Sequence, residues 1–212
     1  MASEPALHRQ NNFDAIRLIA AFAVLWDHQH ALTGIPGPSA WGNTLGMYAV
    51  VAFFAISGYL VTKSWLSDPH LLRFAWRRAL RLWPGLVVAV LLCAFVLGPA
   101  VTSLPLRDYF QSPITWLYLK TLHLHVNFYL PGVFTDNVST AVNGSLWTIP
   151  LEVRCYVVLG LLGVFRIWQY RASSAVFLAI LAGYLAWRYA PSDQPPHRWS
   201  YGLQYGVVFA IG

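Results

Sequence analysis

The sequence predicts an all-α fold, a polytopic bundle of transmembrane helices. Two facts of composition and one pattern predict it. Of 212 residues, 57% are hydrophobic and 10% are charged, against roughly 45–50% and about 25% in soluble domains. The mean hydropathy is +0.50. Apolar runs of about 20 residues, the length a bilayer core demands, recur along the chain. Aromatic residues make up 16% and include ten Trp, rings that suit the headgroup level of a membrane.

The net charge is +6 and the pI about 9.5. In a soluble protein that balance would suggest nucleic acid. Here Arg73, Arg77, Arg78 and Arg81 cluster beside apolar runs, as the positive-inside rule requires of a cytoplasmic anchor. Cys93 and Cys155 supply neither a disulfide framework nor metal-ligand spacing.

In chain order, residues 1–12 form a polar cytoplasmic tail, and residues 13–212 form one membrane domain. Residues 13–32 are the first span. Asp14, Arg17, Asp27 and His28 lie inside it, which argues against a cleaved signal peptide. An uncharged loop with Pro36 and Pro38 follows at 34–43. The second span is 44–66, a basic loop covers 67–82, and the third span is 84–101, with Pro84 suited to a helix first turn. Residues 114–124 are apolar but short and are interrupted by Lys120, His123 and His125. They read as a short, re-entrant or interfacial helix, and the topology beyond residue 101 depends on which. Residues 127–144 read as an ordered loop, and 148–168 and 172–190 as further spans. Residues 203–212 begin another, covering about 15 Å of a ~30 Å core, so the sequence reads as a partial membrane domain. Placing the arginine cluster in the cytoplasm puts the N-terminus inside and the 34–43 loop outside a cell membrane.

Ionisable groups within the spans are the candidate site. A charge at the bilayer centre costs about 2.5–3.5 kcal/mol, so such residues face partners or cavities. Arg17 and His28 are 11 residues apart, which places them on one helix face about 16 Å apart along the axis. Asp14 lies one turn before Arg17 and can pair with it, while Asp27 points about 100° away from His28. A structural network between helices would account for the same residues. Ser57-Gly58 fits close helix packing. Arg78 and Arg81 share a face beside a helix N-terminus, which suits phosphate groups as well as anchoring. Thr148 is a candidate N-cap, Pro150 fits the first turn, and Glu152 there complements the helix dipole. His123 and His125 lack a third ligand at metal spacing and read as interfacial residues, so no metal is expected.

Four of these segments together resemble the acyltransferase 3 family of membrane-bound O-acyltransferases. They are Arg17-x10-His28, Phe53-Phe54-x-x-Ser57-Gly58-Tyr59, Arg78-x-x-Arg81-Leu82-x-Pro84 and Gly144-Ser145-Leu146-Trp147-Thr148-x-x-x-Glu152. The resemblance covers about three quarters of the sequence. It implies an all-helical bundle in the cytoplasmic membrane. The implied reaction moves an acyl group, often acetyl, from acyl-CoA to a hydroxyl of a cell-surface saccharide such as lipopolysaccharide. No bound cofactor is implied, since acyl-CoA is the donor substrate. On this resemblance His28 is the catalytic base or acyl relay, and Glu152 orients the imidazole or the sugar. Arg17, Arg78, Arg81 and Ser57 contact the donor, with Asp14 and Trp147 in support. A transporter or binding protein with a buried ionisable pathway, or an inactive fragment, is the alternative. A requirement for CoA separates them.

Overall fold

The computed structural model describes residues 12–166 and 198–211, with side chains of the last segment from Gln204. Its architecture is helical apart from one two-stranded hairpin. Helix α1 spans Phe13–Thr33 and ends on Gly34 in the left-handed conformation. The hairpin pairs β1 (Ser39–Ala40) with β2 (Asn43–Thr44). Helix α2 spans Leu45–Ser67, and α3 runs continuously through Leu71–Val101. Two short helices follow, α4 (Leu106–Gln111) and α5 (Pro113–Tyr118), then a 3-10 turn at Leu119–His123. A second 3-10 turn, Gly144–Thr148, leads into α6 (Ile149–Val164). Helix α7 covers Arg198–Ile211. Among the described residues, three segments are long and apolar enough to cross a membrane: α2, α3, and Gly144–Val164. The tail 1–11, the end of the expected 148–168 span and the expected 172–190 span lie outside the described residues.

Three expectations need correction. The expected 67–82 loop is helical from Leu71, because His70 caps the Arg73 N–H through Nδ1 at 3.4 Å and the arginines lie along one amphipathic helix. Pro84 therefore sits inside α3 and does not begin it. Thr148 occupies the N-cap position of α6 but makes no capping bond; its Oγ1 donates to the Ser145 carbonyl at 3.3 Å, within the 3-10 turn. Residues 114–124 agree with the short-helix reading, since α5 and the turn after it hold six and five residues. Expectation and structure agree on the ordered loop at 127–144. It is tied down by Thr102 Oγ1 donating to Pro131 O at 2.7 Å and Ser103 N donating to Gly132 O at 2.8 Å.

At 31 residues, α3 is about 46 Å long, against a core of ~30 Å. Its charges all lie between Arg73 and Arg81, and residues 82–101 carry none. Near its far end a π-turn covers Cys93–Leu97, with Gly98 N bonded to Cys93 O. In that register the Ala94 carbonyl faces the nitrogen of Pro99, which has no hydrogen to give. Tyr109 Oη donates to it instead, at 2.8 Å.

Helices α1 and α2 form an antiparallel pair. Asp27 lies against Gly46 at one end, and the Phe13 and Tyr59 rings sit 5.3 Å apart at the other. Gly160 of α6 meets Leu71 and Phe74, and Gly163 meets Trp65, so the C-terminus of α6 lies beside the α2–α3 turn. Gly58 has its α-carbon face against the Phe209 carbonyl of α7, the close packing that small residues permit. Two buried clusters are stacked along α3. One holds Val61, Trp65, Phe74, Tyr156 and Leu159 toward the basic end. The other holds Leu86, Val90, Ala94, Tyr109 and Tyr118 toward the far end.

Candidate functional site

A cavity of about 180 Å³ is lined by Arg17, Val50, Phe53, Phe54, Ser57, Arg81, Thr148 and Glu152. One residue or more comes from each of the four sequence segments singled out above. Helix α1 presents Arg17, α2 the Phe53–Ser57 turn, α3 Arg81, and the start of α6 Glu152. Val50, Phe53 and Phe54 give the cavity an apolar wall, and a low local dielectric there strengthens the electrostatics beside it.

Each charged group has a distinct setting. Arg17 pairs with Asp14 at 3.5 Å, and its side chain is 26% exposed. Its Nη2 is buried and has no hydrogen-bond partner. Glu152 Oε1 accepts from Ser57 Oγ at 3.3 Å and also from the Tyr156 hydroxyl. No ion pair within 4 Å joins Glu152 to Arg17 or Arg81. Arg78 lies with its guanidinium carbon 5.9 Å from the Phe74 ring centre and 5.8 Å from that of Tyr156, and its Nε is buried without a hydrogen-bond partner. Buried guanidinium nitrogens left without acceptors are costly, and an anion entering the cavity would satisfy that of Arg17, which lines it. The carboxylate of Glu152 instead organises two hydroxyls.

The basic run divides by face. Arg73 binds Asp68 through two bonds of 3.0 and 2.6 Å, and Arg77 binds it at 2.5 Å. The Arg73 and Arg77 guanidinium groups hold the Asp68 carboxyl down to about 2 against an ordinary 3.8, hydrogen bonding from Arg73 being the largest cause. These two arginines are committed to the α2–α3 turn. Arg81 reaches the cavity and Arg78 lies behind it. Trp147 does not line the cavity; it packs edge-on against Tyr205 at 5.5 Å.

The sequence profile of the acyltransferase domain family, acyltransferase 3, matches residues 10–212. The chain belongs to that family. It is similar to an O-acetyl transferase of Shigella phage Sf6, with 36% identity over 157 residues, 73% of this chain and 46% of the phage protein. It is also similar to nodulation protein 10 of Rhizobium leguminosarum bv. viciae, at 27% identity over 194 residues, 87% of this chain and 53% of that protein. The chain thus spans about half the length of these curated relatives. No solved structure matches it.

The family's arginine–histidine helix is α1, and the structure separates its two ends. Arg17 is level with Ser57 and Glu152. His28, half-buried, lies about 16 Å further along the helix, beside Asp27, whose Oδ2 accepts from Thr44 Oγ1 at 2.9 Å. His28 does not line the cavity, and the helix rise keeps its imidazole away from Glu152. Of the two roles expected of Glu152, orienting the imidazole or the sugar, the first has no contact here, and its carboxylate is held in the Ser57–Glu152–Tyr156 cluster. Tyr156 is the residue that sequence reading missed. Its signal was present, since it lies four residues after Glu152 and so on the same helix face.

Proposed function

We propose that the chain transfers an acyl group, acetyl in the simplest case, from acyl-CoA to a hydroxyl of a cell-surface saccharide. The observation that carries this reading is the meeting of Arg17 and Arg81 at one cavity, with a guanidinium nitrogen buried and unsatisfied. The name of the phage relative supports the acetyl group. By the charge rule, the end holding Arg73 to Arg81 and the start of α1 faces the cytoplasm, in the cell membrane, where acyl-CoA is found. Arg17 and Arg81 then hold the donor's phosphates, with Arg78 adding charge from behind. Glu152, fixed by Ser57 and Tyr156, sets the shape of that pocket. Asp14 steadies Arg17.

The donor's extended arm leads from the phosphates toward His28. There the neutral imidazole accepts the proton of the acceptor hydroxyl as its oxygen attacks the thioester carbonyl. The carbon–sulfur bond breaks, and the CoA thiolate leaves and takes up a proton. In the relay form, the imidazole nitrogen itself takes the acyl group first. The acceptor saccharide arrives from the opposite face, where α1 and α2 are joined by the hairpin.

Reconstituted protein is given radiolabelled acetyl-CoA and an acceptor glycan, and CoA release is followed. Release by the wild type that is lost in His28→Ala, with Arg17→Gln and Arg81→Gln raising the apparent KM for the donor, is the expected result. Full transfer by a folded His28→Ala protein removes the base and relay roles. Unchanged donor affinity in both arginine variants removes the phosphate role.

A further inference from the structure

The two-residue turn of the hairpin is Trp41-Gly42. With Ser39 paired to Thr44 and Ala40 to Asn43, and φ of 47° at Trp41 and 79° at Gly42, it has the form of a type I′ turn, with both central residues left-handed. Asn, Asp or Gly normally takes the first of those positions, because a bulky side chain there is strained. Here a tryptophan takes it, and the fold gains little packing in return: Trp41 is 92% exposed. Among the described residues its one ring neighbour is Tyr48, edge-on with centroids 6.4 Å apart. A strained backbone that displays a large ring without burying it is an outlier that calls for a functional cause.

The display is also rigid and aimed. Tyr48 Oη donates to the Ala40 carbonyl at 2.7 Å, fastening one strand to α2. Thr44, in the other strand, accepts from Met47 N at 3.4 Å to cap α2 and donates to Asp27 of α1. Asp27 is the sequence neighbour of His28. Trp26, the residue before Asp27, is exposed and meets His30, one turn further along α1, edge-on at 5.7 Å. Residues 34–43 carry no charge. The hairpin therefore holds an uncharged aromatic face close to the end of α1 that bears the histidine and away from the arginines.

We infer that Trp41 is a stacking platform for a pyranose ring of the acceptor, an inference that rests on the acyltransferase reading above. The negative face of an indole attracts the weakly positive C–H face of a sugar ring, and the hydroxyl rim stays free to reach His28. A phosphate or carboxylate has no such complement here. The competing use of an exposed Trp beside a membrane is as an interfacial anchor.

The full chain is labelled with 5-fluorotryptophan and placed in nanodiscs, and the Trp41 fluorine signal is assigned with Trp41→Phe. Methyl glucoside, methyl galactoside and methyl rhamnoside are titrated in, and separately a lipid spin-labelled at the headgroup. The expected result is a saturable shift with at least one glycoside and no broadening by the spin label. In glycoside-stimulated CoA release, Trp41→Leu raises the glycoside KM by roughly tenfold, and Trp41→Tyr restores most of it. Broadening by the spin label with no glycoside shift, or Leu serving as well as Tyr, overturns the platform in favour of an anchor. The fluorine titration requires no turnover. A shift without CoA release would defeat the acyltransferase reading and keep the saccharide site, whereas CoA release with a silent Trp41 would do the reverse.

Discussion

Tyr156→Phe removes one oxygen from the wall behind the cavity. That oxygen donates to Glu152 Oε1 and lies 3.5 Å from Ser57 Oγ. The ring is 4% exposed, so bulk water does not replace the lost donor. The phenyl group keeps its contacts with Phe209, at 6.1 Å, and with Arg78, so the fold survives. A hydrogen bond to a charged group is worth about 1.5–3 kcal/mol. If the pose of Glu152 shapes the donor pocket, that loss lowers kcat/KM for acetyl-CoA by about 10- to 100-fold. Ser57→Ala, which removes a longer bond of 3.3 Å, has the smaller effect of the two. The assay is CoA release from proteoliposomes across donor concentration, with thermal unfolding in detergent as the control for folding. An unchanged kcat/KM in a folded Tyr156→Phe protein, with Glu152→Gln inactive, would show that Glu152 acts without its phenolic partner and would refute the reasoning.

Three further outcomes follow from the packing. Gly58→Ala places a methyl group on the Phe209 backbone carbonyl, and it should cost about 1–3 kcal/mol of stability. Gly206→Ala in α7 meets nothing within 4 Å among the described residues and serves as the control, with helix propensity raising stability by up to about 1 kcal/mol; both are read by thermal melts. Asp68 has a depressed pKa in the folded state, so its contribution is complete above its unfolded value of 3.8 and is lost as pH falls toward about 2. The wild-type melting temperature should therefore drop through that window, while Asp68→Asn should start lower and lack this acid-dependent step. Tyr109→Phe strands the Ala94 carbonyl in an apolar setting and should cost about 1–3 kcal/mol, seen as faster amide exchange around the π-turn. Unchanged exchange there would mean that another donor reaches Ala94.

The site was legible in the sequence to the extent that it is built from charges inside apolar runs. Arg17, Ser57, Arg81 and Glu152 each stand out against their helices, and they converge in space. Arg78 and Arg81 share a helix face, yet one is sandwiched by rings and the other reaches the cavity. That division depends on Phe74 and on α6, which no spacing within α3 encodes. The Asp27–Thr44 bond joins residues 17 apart across a loop, so it too is a tertiary fact. Helix α3 was cut short because a basic run reads as a loop and Pro84 as a helix start. Both signals yield to the amphipathic continuity of Leu71–Leu92. The turn at Trp41 escaped because its strain lies in backbone angles that a tryptophan does not announce.

The excess length of α3 has a bearing on how the protein sits in lipids of different thickness. Its uncharged part, residues 82–101, spans about 30 Å, close to one hydrocarbon core. The arginines ahead of it resist being drawn into the bilayer. Depth is thus pinned at the arginine end, and the cavity, at the level of Arg81, stays near the headgroups whatever the membrane. A thicker or thinner bilayer is accommodated at the opposite end, where the hairpin and His28 lie, at a modest cost for each ångström of mismatch. Lipid composition would then shift the setting of the hairpin and His28 and leave that of the cavity constant.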